Sequence, residues 1–431
     1  MTGSVSAGGA GSAMMALIRE LYPICRSITG DGFRQTLRRL GDFIPIQLSE
    51  VASGTRVFDW TVPKEWNIRD AWIADATGRR VVDFRASSLH VVNYSVPVRT
   101  RMPLAELRPK LHTLPDRPDW IPYRTSYYAE DWGFCLSHNQ LQALPEGDYE
   151  VCIDSTLEPG SLTYGECILA GETDDEILLS IHSCHPSLAN DNLSGMAIAV
   201  ELARRLAEMP RRHRFRFLFI PGTIGSITWL ATHEQEAQRI RHGLVLSCLG
   251  DGGPSTYKRS RRGDTLVDRA AVHVLRHGGD HHLLDFIPYG YDERQYCSPG
   301  FDLAVGCLMR SPNGRFPEYH TSADNPDFVR PECLEDSLEK CLRIIEILEH
   351  DGRFLNLSPK CEPQLGRRGL YSNTGGVTPP DLSMAYLWTL SFSDGKHSLL
   401  DIAERSGLRF SVILRAARAL QNTDLLAPAL H

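Results

Sequence analysis

The chain has 431 residues, 42% hydrophobic and 23% charged, with a formal net charge of −7. Ordinary composition at this length fits a globular chain of roughly two to four domains at about 150 residues each. The acidic balance argues against a protein that coats nucleic acid, and no apolar run approaches the roughly 20 residues that span a bilayer.

Residues 1–13 are rich in Gly, Ala and Ser. They lack the basic and apolar regions of a secretory signal and are expected to be unstructured. An amphipathic helical pattern runs from Met14 to Leu40, broken near Thr29-Gly30-Asp31. From Val57 to about Cys152 the texture turns to β-type runs, such as Val81–Phe84 and His90–Tyr94, between turns and prolines, which reads as a β-rich insertion. From Tyr164 strands and helices alternate. Strands are expected at Glu176–Ile181, Phe215–Ile220, Leu244–Leu249 and Val305–Met309, with helices at Met196–Leu206, Thr228–Arg239 and Cys333–His350, the pattern of an α/β core. A Gly/Pro linker spans Gly366 to Pro380. The tail, with helices at Ala385–Leu390, Leu399–Ser406 and Val412–Leu420 and a wing beginning near Leu425, resembles a winged helix-turn-helix. Its last helix carries only Arg415 and Arg418, so protein contact, including a second copy, is at least as well supported as nucleic acid. Eleven cysteines, odd in number and without framework spacing, fit free thiols in a reducing cytoplasm.

The segment IHSCHPSLANDNLSG, Ile181 to Gly195, is densest in chemistry. His182 and His185 stand where an apolar strand ends, with Asp191 close behind. Carboxyl ends of strands in open α/β sheets gather ligand sites, and imidazole with carboxylate is a donor set suited to zinc. A lone strand-end histidine is usually a hydrogen-bonded core residue, but two with an aspartate on one loop favour a metal. Cys184 reads as a small buried hydrophobe. Three further segments complete a candidate site. Asp251 follows the strand ending near Leu249, Asp292 and Glu293 are adjacent in a loop, and His320 lies on a polar turn beside Glu318 and Tyr319. Singly these are weak, since loop carboxylates are usually solvated. Together, His, Asp, Asp and His on successive strand ends match a hydrolytic zinc site, which needs about three protein ligands and an open position for water.

Asn190–Gly195, NDNLSG, resembles the metal-bridging aspartate loop of co-catalytic zinc aminopeptidases. Ile224-Gly225-Ser226 resembles the Gly-Ser after their catalytic glutamates, and Tyr319-His320-Thr321 their final zinc histidine. From about residue 14 onward the chain more closely resembles bacterial aminopeptidase-like proteins of unassigned function with a winged-helix tail. Trp60–Ile68, CHPSLANDNLSG, Tyr257–Gly263, Asp292–Leu303, EYHTS and Leu365–Ser372 carry that resemblance. It implies an α/β fold: a three-layer zinc-aminopeptidase-like core (14–56 and 160–355), an inserted β-rich subdomain (57–159) and a winged helix-turn-helix (376–431). It makes Asp191 the central metal ligand and His320 the distal histidine, with Asp251 matching the other acidic ligand less securely. The CHP motif favours His185 as proximal histidine, with His182 as alternative ligand or partner. The relatives read Pro-Glu-Thr-Ile-Gly where this chain has Pro221-Gly222-Thr223-Ile224-Gly225, so the expected proton acceptor is absent. Such a group contributes roughly 10²–10⁴-fold. Glu293, Asp292 and Glu318 are the carboxylates that can replace it.

The expectation is a cytoplasmic Zn²⁺-dependent hydrolase cleaving an amide bond of a small aminoacyl or biosynthetic substrate. Its partner is a small molecule or short peptide-like substrate, without a membrane, and one tight metal is expected because Gly222 removes a carboxylate. Arg310 is the candidate to orient a substrate carboxylate, as guanidinium forks do, with Tyr319 and Tyr257 lining the substrate. The rival readings are a non-catalytic metal- or ligand-binding module with a winged-helix tail, and an amide-forming or group-transfer enzyme on the same scaffold.

Overall fold

The computed structural model describes residues 9–370 and 380–429. They form two compact units: one combines 9–263 with 282–338, the other 264–281 with 339–429. The disorder expected for residues 1–13 falls largely outside the described residues. Those inside it contradict the expectation, since a helix starts at Ala10 and buries Ala10, Met14, Leu17 and Ile18. The Gly366–Pro380 linker likewise lies in large part outside them.

The first unit is built on an eight-stranded sheet. Its strands are β1 (Gln47–Ala52), β2 (Ser161–Leu169), β3 (Glu176–His182), β4 (Arg214–Ile220), β5 (Ile240–Leu246), β6 (Ser255–Lys258), β7 (His281–Leu284) and β8 (Val305–Met309), in the order β1-β2-β4-β3-β5-β8-β6-β7. β4, β3, β5 and β8 run parallel, and β1, β2 and β6 pair antiparallel at the flanks. All seven residues of β3 are buried, the near-continuous burial expected of a strand inside a parallel sheet. The chain leaves β3, returns through the helix Gly195–Ala207 to β4 on one side, then crosses to β5 on the other. β3 therefore sits where the winding changes direction, the place where open α/β sheets put their ligands. The sequence expectation set the third strand at 244–249; it occupies 240–246, leaving Ser247–Asp251 as loop. The helix expected at 228–239 starts earlier, at Ile224, and breaks at His233 into two pieces.

Four antiparallel strands, Arg80–Asp83, Glu65–Ala74, Asp148–Glu158 and Val98–Pro103, form a second sheet in that order. His90–Tyr94, expected as a strand, is instead a 3₁₀ turn at Ser88–His90 followed by isolated bridges from Val91 to Phe134 and Asn93 to Thr125. Its apolar residues are buried by tertiary packing, so apolar content alone misled the reading.

The second unit is a winged helix. Helices Pro380–Phe392, Leu399–Ser406 and Phe410–Gln421 accompany a three-stranded sheet whose central strand, Arg353–Asn356, lies between Asp394–Ser398 and Leu426–Pro428. Ser398 caps its helix through a reciprocal box with Asp401, and Gly407 ends it in the left-handed conformation (φ +71°). The central strand lies well upstream of residue 376, where the sequence reading began this domain. Residues 264–281 also belong to the unit: Arg269 bridges to Asp401 and Glu404, both at 2.6 Å, and His273 accepts the Phe410 N–H at 3.0 Å. No helix among the described residues is long and apolar enough to cross a membrane.

Candidate metal centre

The NDNLSG loop is held by its own amides. Asn192 Nδ2 donates to the carbonyls of Leu246 (2.8 Å) and His182 (3.2 Å), and its Oδ1 accepts the Cys248 N–H. Asn190 Oδ1 accepts the Gly250 N–H, and Ser194 Oγ donates to the Asn190 carbonyl while accepting the Leu249 N–H. The motif thus ties the end of β3 to the loop after β5. A Cβ on Gly195 would lie 2.5 Å from Asn192 Oδ1 and 2.8 Å from the Leu246 carbonyl, so glycine is required by close approach. Asp324 takes the backbone N–H groups of Asn190 and Asp191 at 2.6 and 3.0 Å. Burial pushes the Asp324 carboxyl up to about 8.

This scaffold presents Asp191 to three histidines. His182 Nε2 lies 2.6 Å from Asp191 Oδ1, His185 Nδ1 3.5 Å from the same oxygen, and His320 Nε2 3.0 Å from Oδ2. Burial alone would raise the Asp191 carboxyl, but the His185 and His182 rings outweigh it and hold it well below the usual range. Burial lowers His320. Ligand atoms of His182, His185 and Asp191 lie within 4.8 Å of one another. His185 Nδ1 is buried without a hydrogen-bond partner among the described residues, and 3.5 Å to a carboxylate is too long to satisfy it.

Both histidines of the HSCH segment therefore enter the cluster. Arg26, fully buried, donates from Nε to the His185 carbonyl at 2.9 Å and from Nη1 to Leu21. Tyr291 stacks on His182 with ring centroids 3.8 Å apart, and its hydroxyl donates to Asp191 Oδ2 at 2.7 Å. Tyr319 joins the Tyr291 hydroxyl at 2.7 Å and stacks on His320. His320 has φ +57°, a left-handed conformation that costs a non-glycine residue roughly 1–2 kcal/mol. Its carbonyl accepts the Tyr123 N–H at 2.8 Å, and Tyr123 packs edge-on against both His185 and His320.

The other expected site residues make no hydrogen bond to the four-residue cluster. Asp251 is occupied by Asn190 Nδ2, Gly253 N–H and Ser311, so it orders the loop. Arg310 is bound to the Gly253 carbonyl and to Asp336 at 2.6 Å. Tyr257 is fully buried, its hydroxyl filling the space beside Gly306. Glu293 is buried against Lys258 Nζ at 2.7 Å. Glu318 is half-buried, and its carbonyl accepts from Thr321. Asp292 is buried beside Gly222: Oδ1 accepts from Ser226 Oγ at 2.7 Å, and burial pushes its carboxyl up to about 7. Cys184 is a buried thiol pushed up to about 12 by burial, consistent with the apolar reading.

Tyr291, Tyr123, Asp324 and Arg26 were missed as site residues. Tyr291 and Asp324 sit within four positions of expected ones, which was a usable signal. Tyr123 and Arg26 come from remote segments and carried no local mark.

Comparison with known proteins identifies the architecture. A family model described as a domain of unknown function, DUF4910, matches residues 15–351. The chain belongs to this family. A winged helix-turn-helix model matches residues 353–428. A Clostridium acetobutylicum protein, provisionally described as a polysaccharide biosynthesis protein with an aminopeptidase-like domain, is 51% identical over 418 residues, 96% of each chain. A crystal structure from the same species, provisionally described as a peptidase, has a TM-score of 0.94 at 49% identity, covering 98% of this chain and 97% of that one. A Bacillus subtilis zinc aminopeptidase has a TM-score of 0.59 at 13% identity, over 79% of this chain and 94% of that one. The DUF4910 chain thus has the aminopeptidase-like α/β fold with a C-terminal winged helix.

Proposed function

We propose that the chain is a zinc-dependent hydrolase of an amide bond in a small aminoacyl or biosynthetic substrate. The observation that carries this reading is the convergence of His182, His185 and His320 on Asp191, with His185 Nδ1 buried and unsatisfied. An unmet imidazole nitrogen in a carboxylate–imidazole pocket fits a borderline-soft divalent cation. The four residues would hold Zn²⁺, which when bound acidifies water and polarises the carbonyl under attack. The chain's own groups prepare the site. Tyr291 fixes the His182 ring and one Asp191 oxygen, Arg26 fixes the backbone of His185, and Tyr123 packs edge-on against the His185 and His320 rings. Tyr319 donates its hydroxyl hydrogen to Tyr291, whose own goes to Asp191, and so extends the hydrogen-bond chain that orients the aspartate. The C. acetobutylicum relative's association with polysaccharide biosynthesis supports a biosynthetic substrate in preference to bulk peptide.

Metal analysis of the purified chain tests this, with turnover of an aminoacyl-amide library. One zinc per chain is expected, lost in the His185→Ala, Asp191→Ala and His320→Ala variants. Stoichiometric zinc in all three variants would refute the ligand set, and a zinc-loaded chain inert toward every amide would refute the hydrolase reading.

A further inference from the structure

We propose that Asp292 is the proton-accepting residue of this site, its carboxylate bordering, with the metal-cluster residue His182, the side-chain space that Gly222 leaves open. The proposal deepens the reading above and rests on its metal cluster.

A Cβ on Gly222 would lie 3.0 Å from His182 Cβ and 3.6 Å from Asp292 Oδ2. Any side chain there would touch both the histidine and the carboxylate; glycine leaves that space beside them open. The preceding residue, Tyr291, stacks on the same His182 ring and bonds Asp191, so the segment that carries Asp292 is anchored on the cluster. Asp292 Oδ1 is held by Ser226, which fixes the carboxyl plane, whereas Oδ2 is buried with no partner among the described residues. A buried carboxylate oxygen without a donor is costly, by about 1–3 kcal/mol or more, and such groups concentrate at functional sites. Burial holds the group near 7, the range in which a proton acceptor works best at neutral pH. Its neighbour Glu293 also has a buried oxygen, Oε2, without a partner among the described residues, but its Oε1 is paired with the Lys258 ammonium, a countercharge that Asp292 lacks.

In the reaction, water forms a C–O bond to the amide carbon and gives its proton to Asp292 Oδ2. The C–N bond then breaks as Asp292 returns that proton to the leaving nitrogen. The carboxylate is regenerated, and the products are an acid and an amine.

The test uses the full zinc-loaded chain with three readouts: zinc content, affinity for leucine hydroxamate, and turnover of aminoacyl amides. A hydroxamic acid binds as its anion and hands its proton to the site's acceptor, so its affinity reads the acceptor without turnover. Asp292→Asn, which keeps the shape and can still pair with Ser226, is expected to retain zinc. It should lose hydroxamate affinity by about tenfold or more, and turnover by roughly 10²–10⁴-fold. The double variant Gly222→Glu with Asp292→Ala returns a carboxylate to the same space and should recover part of both losses. Affinity and turnover unchanged in Asp292→Asn overturn the proposal. So does loss of zinc or of folded protein in both variants, which makes Asp292 structural. Hydroxamate binding that depends on Asp292 in a chain inert toward amides removes the hydrolase reading and leaves Asp292 as acceptor. A wild-type chain that takes up no zinc overturns both.

Discussion

Replacing Lys258 by methionine separates two roles for Glu293, the carboxylate most prominent among the sequence candidates. Lys258 ends β6 with its ammonium buried, donating to Glu293 Oε1 at 2.7 Å and to the Tyr289 carbonyl at 2.6 Å. Methionine keeps the apolar stem and strips the charge, leaving Glu293 buried and uncompensated. Breaking one side of such a pair costs about 3–5 kcal/mol, whereas removing both charges costs much less. The loss should appear as a fall in Tm of roughly 6–20 °C, given about 2–4 °C per kcal/mol for domains of 150–250 residues. Lys258→Met with Glu293→Gln should recover most of it, and the double-mutant cycle isolates the pair. The ion pair anchors the loop that carries Tyr291 and Asp292, so activity should fall together with stability. A Lys258→Met chain within about 0.5 kcal/mol of wild type, the range of inert surface changes, would refute the structural role. Glu293→Gln with unchanged Tm and a loss of turnover exceeding about 10²-fold would make Glu293 the proton acceptor in place of Asp292.

Gly195→Ala should cost about 2–4 kcal/mol, because its methyl displaces Asn192 from three buried hydrogen bonds, each worth about 1 kcal/mol net, besides overpacking; urea titration and zinc content should fall together, and an unchanged midpoint would show that the loop yields freely. Asp292, raised by burial to about 7 in the fold from a usual value near 3.8, withdraws stability as pH rises from about 4 to 7, because the unfolded chain ionises first. Asp292→Asn in chelator should therefore melt higher than wild type at pH 8 and show a smaller advantage at pH 4.5; equal melting at both would show an ordinary carboxyl. Truncation after Thr378 should yield an unstable chain, since it removes Asp401, Glu404 and Phe410 from residues 264–281 of the same unit; a soluble truncated chain with wild-type Tm would show that those contacts contribute little.

The parallel core was legible because buried strands of Val, Leu, Ile and Phe alternate with amphipathic helices, and the metal loop because three ligand-type side chains fall within ten residues of one strand end. His320 was legible only through family resemblance, since nothing local to a polar turn marks a ligand. The boundary of the winged-helix unit was misplaced for a related reason. Arg353–Asn356 follows directly on a core helix, and its role as the central strand of the small sheet comes from partners 38 or more positions downstream. Arg310, Asp251 and Tyr257 show the converse error: residue types that suit a site were absorbed by the fold, each satisfied by backbone or packing close at hand.

Position 222 joins these lessons. Read along the chain, a glycine where relatives carry a glutamate is a lost carboxylate, and restoring it should help. In three dimensions the vacated space borders both His182 and the Asp292 carboxylate, 70 residues away in sequence. A glutamate added at 222 alone would start from a Cβ in contact with both. It would crowd the His182 ring and set a second carboxylate beside an unpaired buried one, where two like charges cannot both ionise without raising one of them strongly. Gly222→Glu by itself should therefore lower turnover and hydroxamate affinity, and only removal of the Asp292 carboxylate should let it help. Activity gained by the single substitution would show that position 222 still holds the place of the proton acceptor and that Asp292 does not.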